Sequence, residues 1–390
     1  MKKTPFFQNM VRPLAFLVAL LLCLIPHSGQ VRAASDATAG TETEPLVEVV
    51  IPSVSPEGKP ITNVGRYGYH GRTDIGSVII ESGITSISRY SFQQCTNLAS
   101  VSVPDTVTII GKYCFAGCKS LTDITIPNGV LLVQESVFRD CTSLESMDIP
   151  ESVISIEDSA FEGCTNLQRV SFRENLTVID DRAFAKCVSL KNVTIPGGVD
   201  VIDDSAFEGC KGLESVTIMD GVYTINRSVF KDCTSLTELS LPESLTLIRA
   251  NAFSGCKSLT ELTLPPDITR IGENAFSGCT GLKEITLGPG IERIDANAFA
   301  GCTSLERVIF NGTLDDWNIQ IEAGNEALYI EPIIFADPDT EPTEPAEPLP
   351  PATIEQEEGD ILWLAILGGI VAVGEGILIV FLVKKRRAAR

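Results

Sequence analysis

The chain has 390 residues, with 30 Lys+Arg against 51 Asp+Glu, a formal net charge of −21. That balance excludes a broad phosphate-binding surface, which needs clustered Lys and Arg to release counterions, so no nucleic-acid partner is expected. Two histidines, His27 and His70, are too few for a multi-His metal site or a His-based triad.

The N-terminus carries Met1-Lys2-Lys3 and Arg12, an apolar run from Leu14 to Ile25, and then Val31-Arg32-Ala33. A basic start, a short apolar stretch and small residues at −3 and −1 predict a secretory signal over 1–33, cleaved after Ala33. The apolar run is too short to be kept as a membrane span. Residues 34–64 read as a leader with little core-forming pattern.

From about residue 65 the sequence repeats every 23 residues. Ten cysteines fall at 95, 118, 141, 164, 187, 210, 233, 256, 279 and 302. A phenylalanine lies three residues before each, from Phe92 to Phe299, and a leucine three residues after each, from Leu98 to Leu305. A fixed period of this length means a solenoid. Within a unit, Leu98-x-x-Val101-x-Val103-Pro104 alternates as a strand should, and the proline ends it because it cannot donate to a ladder. The second half, Ile-x-x-x-Ala-Phe-x-Gly-Cys, predicts a short helix or helical turn. Gly117, Gly163, Gly209, Gly255, Gly278 and Gly301 would close it in a left-handed conformation. One coil cannot offset the ordering of its backbone at roughly 1–2 kcal/mol per residue, so stability must come from stacking on neighbours.

The array has expected ends. Tyr69, Ile75, Val78, Ile80, Ile84 and Ile87 occupy the repeat columns of an imperfect first unit, with Arg72 in place of the cysteine. Beyond Trp317 the pattern lapses, and Tyr329, Ile333, Ile334 and Phe335 are expected to seal the last coil, giving a solenoid over 65–335. Residues 336–360 hold nine acids, six prolines and no Lys or Arg, the composition of an extended stalk. Residues 361–383 form a mostly apolar run long enough to cross a bilayer, interrupted by Glu375. The following Lys384-Lys385-Arg386-Arg387 predicts a cytoplasmic tail, 384–390, and an extracellular N-terminal region. Leu349-Pro350-Pro351-Ala352-Thr353 departs from a sortase signal at its fourth and fifth places, so a retained single-pass anchor in the cell membrane is expected.

The unit of Ala-Phe-x-Gly-Cys, Leu-x-x-Val-x-Ile-Pro and an isoleucine resembles the BspA-like leucine-rich repeats of bacterial surface proteins, over roughly residues 65 to 320. The resemblance implies an α/β repeat solenoid, a right-handed coil of about ten units, each a strand plus a short helix or turn. It also implies an extracellular interaction module, in some relatives an adhesin; the alternative is a structural or sensory envelope component without a host ligand. With His70 the one imidazole left after signal cleavage and a solenoid offering no closed cavity, an enzyme is not expected. The sequence departs from the proline column at Arg173, Met219, Gly288 and Asn311.

Two sets of residues are functional candidates. The exposed strand columns offer a docking face that includes Thr125, Asp148, Thr194, Thr217, Glu238, Ser240, Glu261, Thr263, Glu284 and Thr286. Glu238, Glu261 and Glu284 form an acidic stripe suited to a basic protein or cell-surface partner. Glu157-Asp158, Asp180-Asp181 and Asp203-Asp204 occupy the same two columns in three successive coils. They suit helix N-caps or, alternatively, a weak Ca²⁺ site, since calcium takes 6–8 oxygens in flexible geometry. No other cofactor is expected. The cysteines, stacked at one position about 5 Å apart, sit too far apart for the roughly 3.8 Å Cβ separation of a disulfide and are expected to be buried and reduced.

Overall fold

The computed structural model describes residues 45–330 and 333–335. The signal segment 1–33, the stalk 336–360, the span 361–383 and the tail 384–390 lie outside the described residues. Among those described, no helix is long and apolar enough to cross a membrane.

The chain winds into a parallel β-solenoid in which every coil contributes to two strand rows. The first row contains Val47–Ile51, Ile75–Ile80, Ser100–Ser102 and their successors to Ile334–Phe335. The second contains two-residue strands such as Ser86–Ile87, Ile109–Ile110 and Ser155–Ile156. Pairing is parallel and advances one repeat at a time, as in Val193↔Val216 and Ile156↔Ile179. Alternation puts one side of each strand into the core: Val193 and Ile195 are buried, Asn192 and Thr194 exposed. Proline ends the first strand as expected and then opens a turn, its carbonyl accepting from the amide three residues on (Val107 N to Pro104 O, 3.0 Å). Arg173 does the same for Leu176 at 3.1 Å, so the turn tolerates loss of the ring.

The predicted helix does not form. The one helical turn among the described residues is the 3₁₀ segment Glu326–Leu328. Two residues in each return segment take a left-handed conformation, for example Tyr113 (φ 58°) and Gly117 (φ 74°), and these interrupt a right-handed helix. The amides then alternate. Tyr113, Phe115 and Gly117 donate to carbonyls of the next coil (Glu135, Val137 and Arg139), while Cys114, Ala116 and Cys118 donate three residues back. This alternation satisfies the buried backbone of a segment that is neither helix nor strand. The second left-handed column also alternates by residue type: Gln94, Gly117, Asp140, Gly163, Lys186, Gly209, Asp232, Gly255. A β-carbon on Gly163 would lie 2.4 Å from the Asp140 Oδ1, so the side chain of one coil lies over the bare backbone of the next.

Two columns run through the core. The phenylalanines from Phe92 to Phe299 are fully buried and stack nearly parallel, with centroids 5.4 Å apart at Phe92–Phe115 and 5.0 Å at Phe161–Phe184. Tyr69 extends the stack by one ring, 5.1 Å from Phe92. The ten column cysteines and Cys114 are buried and unbridged. Each column thiol donates to the carbonyl of the aromatic residue one coil back, as in Cys118 Sγ to Phe92 O (3.1 Å) and Cys164 Sγ to Phe138 O (3.1 Å). That carbonyl also accepts the amide of its own coil's cysteine, so the thiol fills an acceptor that alanine would leave half used.

The ends differ from the sequence expectation in detail. The solenoid begins earlier than residue 65, because Val47–Ile51 pairs with Ile75–Ile80 and buries Ile51, while Val64 is buried in the second row. The leader reading missed this coil because it carries neither the phenylalanine nor the cysteine. At the far end Trp317, Phe310 and Phe335 meet edge to face, with Phe310–Trp317 centroids 5.0 Å apart. Ile333 and Phe335 pack against the core and Tyr329 is half-buried, but Ile334 is exposed, since alternation turns it outward beside Ile309. The cap also uses a polar device. Phe276 N donates to Ala298 O of the next coil, yet Phe299 N donates to the side-chain Oδ1 of buried Asn325 (2.9 Å). The Nδ2 of Asn325 donates in turn to Asp295 O and Glu322 O.

Two outcomes follow. Burial raises the thiols, Cys95 to about 11 and Cys210 and Cys256 to about 12. The folded protein should therefore resist alkylation at pH 8 and label fully once denatured, as read by intact mass. Absence of label after denaturation would show bridged cysteines. Asn325→Ala should leave the Phe299 amide without an acceptor, at a cost of about 1–3 kcal/mol. Hydrogen exchange should show this as lost protection at Phe299 with the central coils unchanged.

Candidate functional site

The strand-face residues fall in register along the first row. Thr194 pairs with Thr217, Thr217 with Ser240, and Thr263 with Thr286. Thr125, Asp148, Thr194, Glu238, Ser240, Glu261 and Thr263 are exposed, and Thr217, Glu284 and Thr286 are half-exposed. Some spend their polarity on each other: Ser171 Oγ donates to Asp148 Oδ1, and Ser215 Oγ to Asn192 Oδ1 at 2.8 Å. The acidic stripe is shorter than its three glutamates suggest. Arg307, one coil on, holds Glu284 at 2.7 Å, whereas Glu238 and Glu261 have no ion pair among the described residues.

The six acids of the second candidate separate. With no helix to cap, Asp180 and Asp203 each use Oδ1 to accept the next residue's amide, Asp181 N (2.8 Å) and Asp204 N (2.9 Å). Glu157 turns to the Glu135 amide and lies 3.7 Å from Lys112 Nζ. Asp158 accepts from Ser159 Oγ, and Asp204 from the Arg227 amide. Only Asp180, Asp181 and Asp203 converge, offering carboxylate oxygens within 4.8 Å of one another, all half-buried. Burial and then the charges of Asp203, Asp180, Asp204 and Asp158 raise the Asp181 carboxyl above its ordinary range. Three hard oxygens with room for water match the ligand type of calcium but fall short of its usual number.

A third feature escaped the sequence reading. Tyr67, Tyr90 and Tyr113 stack on the flank of the first coils, with centroids 4.9 and 5.2 Å apart. All three take positive φ at a position that later coils give to Ser, Arg or Asn. Arg66 lies 4.9 Å from the Tyr67 ring, and His70 meets that ring edge-on at 5.7 Å. The stack ends at Tyr113, whose hydroxyl donates to Glu135 Oε1. The 23-residue spacing of the three tyrosines was the signal in the sequence, masked by the stronger phenylalanine column.

The sequence matches the BspA type leucine rich repeat region in six copies, over residues 61–161, 85–214 and 200–323. No curated protein matches it. Among solved structures, it is similar to a leucine-rich repeat protein from Bacteroides ovatus, at 24% identity and TM-score 0.46, covering 76% of this chain and 98% of that one. It is also similar to a leucine rich cell surface protein from Faecalibacterium prausnitzii, at 24% identity and TM-score 0.39, covering 76% and 100%. A third is the pneumococcal vaccine antigen PcpA, at 17% identity and TM-score 0.42, covering 79% and 99%.

The carboxylate trio generates a prediction with a definite sign. A carboxyl whose folded pKa is raised favours the fold at low pH, and that contribution is lost as pH rises through the folded value. Asp203→Asn keeps the Oδ1 acceptor and removes one repelling charge. It should raise the melting temperature at neutral pH and low salt by a few degrees, and the gain should shrink when the pH is lowered into the carboxylate range. Any melting shift produced by millimolar Ca²⁺ in the unmodified protein should be absent in the variant.

Proposed function

Because the chain belongs to the BspA-type leucine-rich repeat family, we propose that it is a non-enzymatic recognition scaffold that binds a protein partner along its first strand row, displayed outside a bacterial cell by its C-terminal apolar segment. The observation that carries this reading is the row itself, with Thr, Ser, Asp and Glu side chains of successive coils presented in register on a stacked frame. Such a face gives many small polar contacts and no aromatic anchor, which suits weak, additive binding to an extended or repetitive surface. The apolar run 361–383 with the basic tail supports anchorage, and the acidic 336–360 segment would hold the solenoid away from the lipid.

The candidate residues gather no nucleophile beside a base. His70 is exposed and meets an aromatic ring, and the thiols that would be needed as nucleophiles are buried with raised pKa. Adhesion to host material and organisation of neighbouring envelope proteins are separable by experiment. The purified protein should bind extracellular-matrix proteins, and Thr194→Lys with Thr217→Lys should weaken that binding several-fold without lowering the melting temperature. Binding confined to envelope of the producing cell would overturn the adhesin reading.

A further inference from the structure

The first strand row is interrupted twice, between Asp123–Ile124 and Ser146–Asp148 and between Glu238–Ser240 and Glu261–Thr263. Core burial lapses at the second break, as it also does at Val170 and Phe172 within an unbroken ladder. In the flanking coils Val216, Ile218, Leu262 and Leu264 are buried, whereas Leu239 and Leu241 in the same columns are only partly covered. These leucines open into a cleft of about 460 Å³, whose lining includes Leu264, Pro265, Pro266 and Pro289. Ser240, Thr263, Glu243 and Asn311 contribute the polar part of the lining. Crowding beside it is visible at Gly288, where a β-carbon would lie 2.8 Å from Pro266 Cα and 2.9 Å from Pro265 O, so the backbone of the preceding coil leaves no room for a side chain there.

Charge around the cleft has one sign. No Lys or Arg lines it, Glu243 does, and the unpaired Glu238 and Glu261 lie two residues before Ser240 and Thr263 on the same face of their strands. A recess walled by leucine and proline, with a mainly polar exposed lining and acids beside it, is complementary to a main chain that inserts one apolar side chain and carries cations on either side. We propose that this cleft receives an extended peptide segment of the protein partner, with one apolar side chain seated against Leu239 and Leu241 and flanking Lys or Arg residues paired with Glu238, Glu243 and Glu261. The inference rests on the strand-row reading and adds to it where the partner is gripped and what chemistry it presents.

A phage-displayed random dodecapeptide library panned on the full-length protein in detergent micelles tests it. Enriched peptides should share an apolar residue flanked by Lys or Arg, and their binding should weaken at least tenfold between low and half-molar salt. Thr263→Trp, which fills the mouth from an exposed position, and the double variant Glu238→Lys, Glu261→Lys should each reduce binding at least tenfold while keeping the melting temperature. No enrichment, enrichment without that signature, or peptides that bind the variants equally well would overturn the proposal. Matrix binding by the unmodified protein separates the two readings. If it is lost in Thr194→Lys, Thr217→Lys and kept in Thr263→Trp, the cleft is refuted and the row stands; if it is absent while the peptides bind as described, the adhesin reading fails and the cleft stands.

Discussion

Every coil must place its return-segment amides opposite the carbonyls of the next, and this one requirement sets the rest of the molecule. Phe115 N reaches Val137 O, Phe138 N reaches Ala160 O and Phe161 N reaches Ala183 O, always 22 residues on. A single inserted residue would shift both strand rows, the aromatic stack and the thiol column together, because all of them share that register. Stacking at about 5 Å follows from it, and the rings and thiols occupy the only core spacing that inter-coil hydrogen bonding permits.

The same register stacks like on like, which is favourable for apolar side chains and costly for charged ones. The flanks answer with cations one coil away from acids. Glu162 is buried, which alone would raise its pKa, but the Lys186 hydrogen bond and the charges of Arg139 and Lys186 hold it below its ordinary value. Asp295 sits between Arg270 and Arg293 in the same fashion. Among the described residues, Asp180, Asp181 and Asp203 have no such ion pair, and neither do Glu238 and Glu261.

Most of the core was legible in the sequence because a strict period turns a one-dimensional pattern into a three-dimensional neighbourhood: Phe92 and Phe115, 23 apart, must touch. What the period could not supply was conformation. Ala-Phe-x-Gly-Cys has the composition of a helix end, and the residues that prevent a helix, such as Tyr113, Ser136 and Arg182, adopt positive φ without being glycine. The acids show a related limit. Shared columns place Glu157, Asp180 and Asp203 above one another, but only local hydrogen bonds decide that Glu157 turns to Glu135 and leaves the group. The cleft was hidden for a third reason, since Leu239 and Leu262 occupy the same sequence column and differ in burial.

The left-handed column carries a rule about inheritance. Between Gln94 and Gly255 a residue with a side chain alternates with glycine, and Gly117, Gly163 and Gly255 are bare where the side chain of the preceding coil lies. Excising the coil that holds Gly163 would set Lys186 on Asp140 and push a β-carbon toward the space the Asp140 carboxylate fills. Excising two coils would restore the fit. From Gly255 through Gly278, Gly301 and Gly324 the column is bare, and coils could come and go singly. Gene duplication and loss in this solenoid would accordingly run in even steps over its first part and in any step over its last, making the C-terminal coils the ones free to vary in number.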